Sequence, residues 1–128
     1  MHLPTRSVIR EVYRKQVAAF GDPSCEIDDV KIGAALAWPR MMVTTKKHED
    51  PFEVVLSLFT SILSEQPATK GNASLAISLA ILTLRRNGLM LDISNEDILQ
   101  LFAKLGKGEF SEKSLIEFFR LKSIPIQI

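Results

Sequence analysis

Apolar residues in this chain recur at intervals of three and four, and polar punctuation divides them into six helical stretches. Ile9, Tyr13, Gln16/Val17 and Phe20 mark one face of a first helix, with Thr5 as its cap and Gly21 as its end. After a turn at Gly21-Asp22-Pro23-Ser24, a second helix is predicted from Asp28 to Ala37. Asp28 and Asp29 suit its N-terminal dipole, and Pro39 is expected to stop it. Residues 40–49 are mostly polar, basic and aperiodic, which predicts a loop. Asp50-Pro51-Phe52-Glu53 then supplies an N-cap, a first-turn proline and a glutamate to close a capping box. Phe52, Val55, Phe59 and Ile62 form the apolar face of this third helix, widened by Leu56 and Leu63. Val54 and Leu58 widen it again, as expected of a helix covered on two sides.

Pro67 and Gly71 break the chain before a central helix over 72–86, which is apolar on nearly every side: Leu75, Ala76, Ile77, Leu79, Ala80, Ile81, Leu82 and Leu84. A helix without a polar face belongs inside a bundle, and Asn87-Gly88 is its C-cap. Ser94 caps a fifth helix carrying Ile98, Leu101, Phe102 and Leu105, with Asp97 at the third helical position. Gly106 and Gly108 bracket a turn. Ser111-Glu112 opens a sixth helix that uses Leu115, Phe118, Phe119 and the stem of Lys122. Ile124-Pro125-Ile126-Gln127-Ile128 is too short and proline-broken for a helix. It is expected to lie on its own domain or fray, with an extended arm pairing with a partner as the alternative. No parallel-strand pattern appears. The expected fold is all-α: one domain over 1–128, a compact bundle of about six helices around the helix at 72–86.

A chain of 128 residues buries one core, and 46% hydrophobic with 24% charged residues is ordinary for a globular protein. A net charge of +1 gives no field for neutralising phosphates, so no nucleic-acid partner is indicated. Cys25 alone excludes an internal disulfide framework and a cysteine-rich zinc site, and it reads as an inert thiol in a reducing compartment. The apolar run at 75–84 is about half of the ~20 residues that cross a bilayer. Met1-His2-Leu3-Pro4 lacks the features of a secretory signal. Those readings predict no membrane span and a cytoplasmic location. His2 is expected at a frayed end, His48 in a solvated loop, and Lys46-Lys47 as a small solvated basic spot. Trp38, Met41 and Met42 fit either core packing or a partner groove.

The candidate chemistry lies in Gln66-Pro67-Ala68-Thr69-Lys70-Gly71-Asn72-Ala73-Ser74, ahead of the central helix. This stretch resembles the active-site loop of the Fic/Doc (death-on-curing) family, whose pattern is approximately HxFx(D/E)GN(K/G)R. The segment from Asp28 to Arg40, the helix start at Asp50-Pro51-Phe52-Glu53-Val54-Val55, and Leu84-Arg85-Arg86-Asn87-Gly88-Leu89 also resemble doc-like members, in the same order. The resemblance implies a phosphotransferase or nucleotidyltransferase ancestry. In the family, a histidine takes a proton from the target hydroxyl and an acid holds magnesium. Gly-Asn amides cradle phosphate, and an arginine, with lysine in doc-like members, neutralises the transferring group.

Matched residue by residue, Gln66 stands at the histidine position, Ala68 at the phenylalanine, Lys70 at the metal-binding acid, Ala73 at the lysine and Ser74 at the arginine. Only Gly71 and Asn72 are retained. A glutamine amide cannot serve as general base near pH 7, and that loss typically costs about 10²–10⁴ in rate. Lys70 repels a divalent cation, and Ala73 and Ser74 remove two cations from the anion site. No metal or obligatory cofactor is expected. Lys70, Gly71 and Asn72 form the candidate anion site, where residual ATP or phosphate binding would be held. The resemblance thus implies a catalytically inactive member, acting as an interaction, structural or regulatory module with a protein partner or within a larger complex. Two alternatives stand beside it: a toxin-like transferase with a rearranged loop, as in toxin–antitoxin systems, and a non-catalytic nucleotide or phosphate sensor.

Overall fold

Five helices begin on polar side chains that satisfy otherwise orphaned backbone amides, Asp28 among them with the Val30 and Lys31 N–H groups, and those caps set the architecture. The computed structural model describes residues 2–20, 24–45, 50–109 and 111–126. Thr5 Oγ1 accepts the Val8 N–H at 3.2 Å at the start of α1 (Arg6–Phe20). Asp50 accepts the Phe52 N–H at 2.9 Å at the start of α3 (Pro51–Glu65). Reciprocal capping boxes, Ser94 with Asp97 and Ser111 with Ser114, open α5 (Asn95–Gly106) and α6 (Glu112–Lys122). The Asp50 cap reaches the second helical position; Glu53, expected to close a box there, instead lines an adjoining cavity.

The described chain is mostly helical and all-α in class. Between α3 and α5 runs α4 (Asn72–Arg86), in which no residue from 72 to 84 is exposed. Its neighbours are α3, α1 and the short strand β1 (Leu89–Leu91), while α3 also packs on α2 (Asp29–Thr45) and α6. Val54, Val55, Leu58, Phe59 and Ile62 are all fully buried, so α3 is covered on two sides. The Phe59 ring meets Phe119 of α6 edge-on, centroids 5.5 Å apart at 76°. Gly88, at φ +84°, ends α4 after its Asn87 cap, in a conformation that suits glycine.

Of three expectations about α2 and the chain's two ends, two are corrected and one is borne out. Pro39 does not stop the second helix: α2 continues to Thr45, so residues 40–45 are helical, and residues 46–49, with Lys46, Lys47 and His48, lie outside the described residues. An interior proline removes an amide and crowds the carbonyl four residues earlier, at a cost of about 3 kcal/mol. Burial of Leu36, Pro39 and Met42 on the inner face offsets it. The last turn is held by Thr45 Oγ1, which donates to the Met41 carbonyl at 2.6 Å, and by Thr44 Oγ1, which donates to Arg40 at 3.0 Å. Second, the C-terminal segment lies on its own domain, as expected, and does so as strand β2 (Ser123–Pro125), antiparallel to β1, with Met90 opposite Ile124. Third, the start of the chain is docked, not frayed. Asn87 Oδ1 accepts the His2 N–H at 3.2 Å, its Nδ2 donates to the His2 carbonyl, and Pro4 is buried. Of the expected turn at 21–24, only Ser24 lies within the described residues.

Candidate functional site

The loop joining α3 to α4 is fixed at almost every backbone position. Gln66 ends α3 in the left-handed region, φ +48°, with its N–H bonded to the Ile62 carbonyl at 3.0 Å. It is the one described non-glycine residue with positive φ, a strained geometry that turns the chain sharply into Pro67. The Pro67 carbonyl accepts from the Asp28 N–H at 2.8 Å. Ala68, buried, forms an isolated antiparallel bridge with Ile27. One residue on, the Thr69 N–H donates to the Glu26 carbonyl at 2.9 Å, and Thr69 Oγ1 accepts the Glu26 N–H at 3.0 Å. The segment before α2 therefore lies against the loop like a short strand.

From the other side, α1 holds the loop's second half. Tyr13 Oη donates to the Lys70 carbonyl at 2.8 Å, and Gln16 Nε2 donates to the Gly71 carbonyl at 3.0 Å. Burial first, then the Cys25 thiol beside it, push the Tyr13 phenol above its ordinary value; bonds to Thr69 and Lys70 act the other way. Cys25 thus has a structural neighbour in the half-buried wall under the loop.

Asn72 closes the arrangement from within. Its Oδ1 accepts the Ala68 N–H at 3.0 Å and its Nδ2 donates to the Ala68 carbonyl at 2.9 Å. Both ends of the amide thus serve the loop backbone. Gly71, at φ +80°, is the α4 N-cap and contributes no side-chain bond, so the first-turn amides of Asn72, Ala73 and Ser74 are not capped by it. Ala73 and Ser74 are half-buried, and Lys70 and Gly71 are exposed.

The sequence-predicted positions are therefore split between two surroundings. Gln66 lines a cavity of about 380 Å³ with Glu26, Asp28 and Lys31, on the α2 side of the loop. Lys70 and Gly71 lie against α1, and Asn72 turns inward. No imidazole belongs to the described loop, and among the described residues no group of three or more His, Cys, Asp or Glu is placed to hold a metal ion. Tyr13, Gln16, Glu26 and Thr69 were not singled out as site residues by the sequence. The available signal was the placement of two polar-tipped residues, Tyr13 and Gln16, on the same helix face as Ile9. No helix is long and apolar enough to cross a membrane among the described residues. No family model matches the chain, and no curated protein matches it.

Proposed function

We propose that this chain is a catalytically inactive domain of Fic/Doc ancestry that works as a protein-interaction module. The observation that carries the proposal is the Asn72 clasp on Ala68. The one polar side chain retained from the family's loop is occupied at both amide atoms by its own backbone, at 3.0 and 2.9 Å. Gln66 supplies no base at the position where a proton would be taken, and Lys70 supplies a positive charge where magnesium would bind. What the loop offers instead is a surface braced by hydrogen bonds from Tyr13, Gln16 and Asn72.

The test is label transfer. Purified protein is incubated with radiolabelled ATP or UTP, magnesium or manganese, and candidate protein targets. The expected result is no transfer above the protein-free background. Robust labelling that disappears in Lys70→Ala would overturn the proposal and select the toxin-like transferase.

One observation favours a second reading, a non-catalytic phosphate or nucleotide sensor. The first turn of α4 has no side-chain cap at Gly71, and such amides with a lysine beside them attract anions. Calorimetry with ATP, ADP and inorganic phosphate decides it: no heat at millimolar ligand removes the sensor.

A further inference from the structure

β1 has two edges, and only one of them is paired. The Asp92 N–H donates to the Lys122 carbonyl at 2.7 Å and the Ile126 N–H to the Gly88 carbonyl at 2.9 Å, in register with Met90 opposite Ile124. Gly88, Met90 and Asp92 therefore turn their backbone groups to β2. Alternation sends the N–H and C=O of Leu89 and Leu91 to the other edge, where no group among the described residues bonds them. Buried backbone groups are nearly always paired, so these four face solvent. The Leu89 and Leu91 side chains pack on the core, and what stands open is the strand edge itself. Such an edge is a template for another strand.

The spacing of the open groups defines what fits there. About a two-fold axis through Met90, perpendicular to the sheet, Leu89 of one copy stands opposite Leu91 of the other. Each such pair exchanges both backbone bonds, so every outward group of β1 in both copies is satisfied. A parallel pairing of the same edge needs a one-residue stagger and cannot close about a two-fold axis. The side chains agree with the antiparallel register. Met90 is 41% exposed and shares the outer face with Ile124, 43% exposed. The two Met90 side chains meet at the axis, in a pair without hydrogen bonds, where cross-strand neighbours come closest. The outer face then carries one apolar row, an Ile124 and a Met90 from each copy. Asp92 falls opposite Gly88 of the other copy, so like charges do not meet in the ladder. On β2 the outer edge has no free donor, because the Ser123 N–H is bonded to Arg120 and Pro125 has none. Association through β1 stops at two copies.

We infer that two copies of this chain pair through β1, antiparallel about Met90, and form a four-stranded sheet in the order β2-β1-β1-β2. A three-residue ladder makes a small interface, so the pairing is reversible and concentration-dependent. The inference gives the interaction role proposed above one concrete surface and rests on that role only in its biological sense, since the association test is independent of catalysis.

Sedimentation velocity of the intact protein over a concentration series is expected to show a reversible monomer–dimer equilibrium and no larger species. Met90→Lys, at an exposed position, sets two lysines together at the axis. It is expected to weaken association at least about tenfold while circular dichroism stays unchanged. Cross-linking reads the register. In a Cys25→Ser background, which removes the native thiol, Met90→Cys places two cysteines with Cα atoms about 4.5 Å apart across the axis, inside the range that a disulfide spans. Mild oxidation is expected to give a linked dimer. Ile124→Cys, about 15 Å from its counterpart, is expected not to link. The inference is overturned if the native chain stays monomeric at every concentration, which would leave the edge to a strand of another protein. It is equally overturned if Met90→Lys associates as the native chain does, or if Ile124→Cys links as readily as Met90→Cys. Label transfer by an intact dimer would sink only the non-catalytic role.

Discussion

Asn72 holds Ala68 by both polar ends of its peptide backbone, accepting from the N–H at 3.0 Å and donating to the C=O at 2.9 Å. Because Ala68 is buried, removing the amide strands a donor and an acceptor that water reaches poorly. Asn72→Ala is expected to destabilise the fold by about 2–3 kcal/mol, read as a lower urea midpoint at unchanged slope. Asn72→Asp keeps the acceptor and loses the donor, so its cost falls in between. A loss under about 0.5 kcal/mol for the alanine variant would mean that the clasp is dispensable.

Tyr13 couples the same loop to α1 and makes it sensitive to alkali. Its hydroxyl donates to the Lys70 carbonyl at 2.8 Å, a bond whose loss in Tyr13→Phe is expected to cost about 1 kcal/mol. Burial raises the phenol's pKa, so the folded chain holds that proton more tightly than the unfolded chain does. The contribution is complete below the unfolded value of about 10 and disappears as pH climbs from there through the folded value. Tyr13 is the only tyrosine, so tyrosinate absorbance titrates it alone; the midpoint is expected above the ordinary phenol value and returns to it in urea. A folded midpoint at or below that of the unfolded chain contradicts the burial argument.

Gly71 is required by backbone and neighbour together. Its φ of +80° disfavours any residue with a Cβ, and a Cβ placed there falls 2.5 Å from Gln16 Nε2. Gly71→Ala is expected to cost about 1–2 kcal/mol from the left-handed backbone alone. It also displaces the Gln16 amide that bonds the Gly71 carbonyl. The two sites should therefore be non-additive: Gly71→Ala costs less in a Gln16→Ala background than in the native one. Equal costs in a double-mutant cycle would show that Gln16 yields freely.

The contrast between what the sequence disclosed and what it hid follows from the range of the interactions. Thr5, Asp50, Ser94 and Ser111 cap amides two or three residues away, and the period of Leu75, Leu79 and Leu82 is read within one helix, so the caps and the buried α4 were legible. Pro39 obeyed no local rule, because packing of α2 on α3 outweighs the amide it lacks. The strands at 89–91 and 123–125 are too short to show alternation, and their pairing joins residues far apart in the chain. The loop's own residues stood out as a motif, whereas its braces did not. Tyr13 and Gln16 lie 57 and 55 positions from the carbonyls they hold, and nothing in local spacing announces such a contact.

Pro125 guards the sheet edge. The Asp92 N–H donates to the Lys122 carbonyl at 2.7 Å and the Ile126 N–H to the Gly88 carbonyl at 2.9 Å, so residues 122, 124 and 126 direct their backbone groups at β1. Alternation then turns 123 and 125 outward. The Ser123 N–H is already bonded to the Arg120 carbonyl, and Pro125 has none to offer. The outer edge consequently presents no free backbone donor at these two positions, even though Ile124 and Ile126 stay 43% and 40% exposed. Pro125→Thr restores a donor and adds a β-favouring side chain. It is expected to leave the unfolding midpoint within about 0.5 kcal/mol of native while promoting concentration-dependent association by sedimentation velocity. Pro125→Lys, which restores the donor but adds charge to the edge, should associate less. A Pro125→Thr protein that associates no further than the native chain at the highest soluble concentration would show that the edge is protected by something other than its proline.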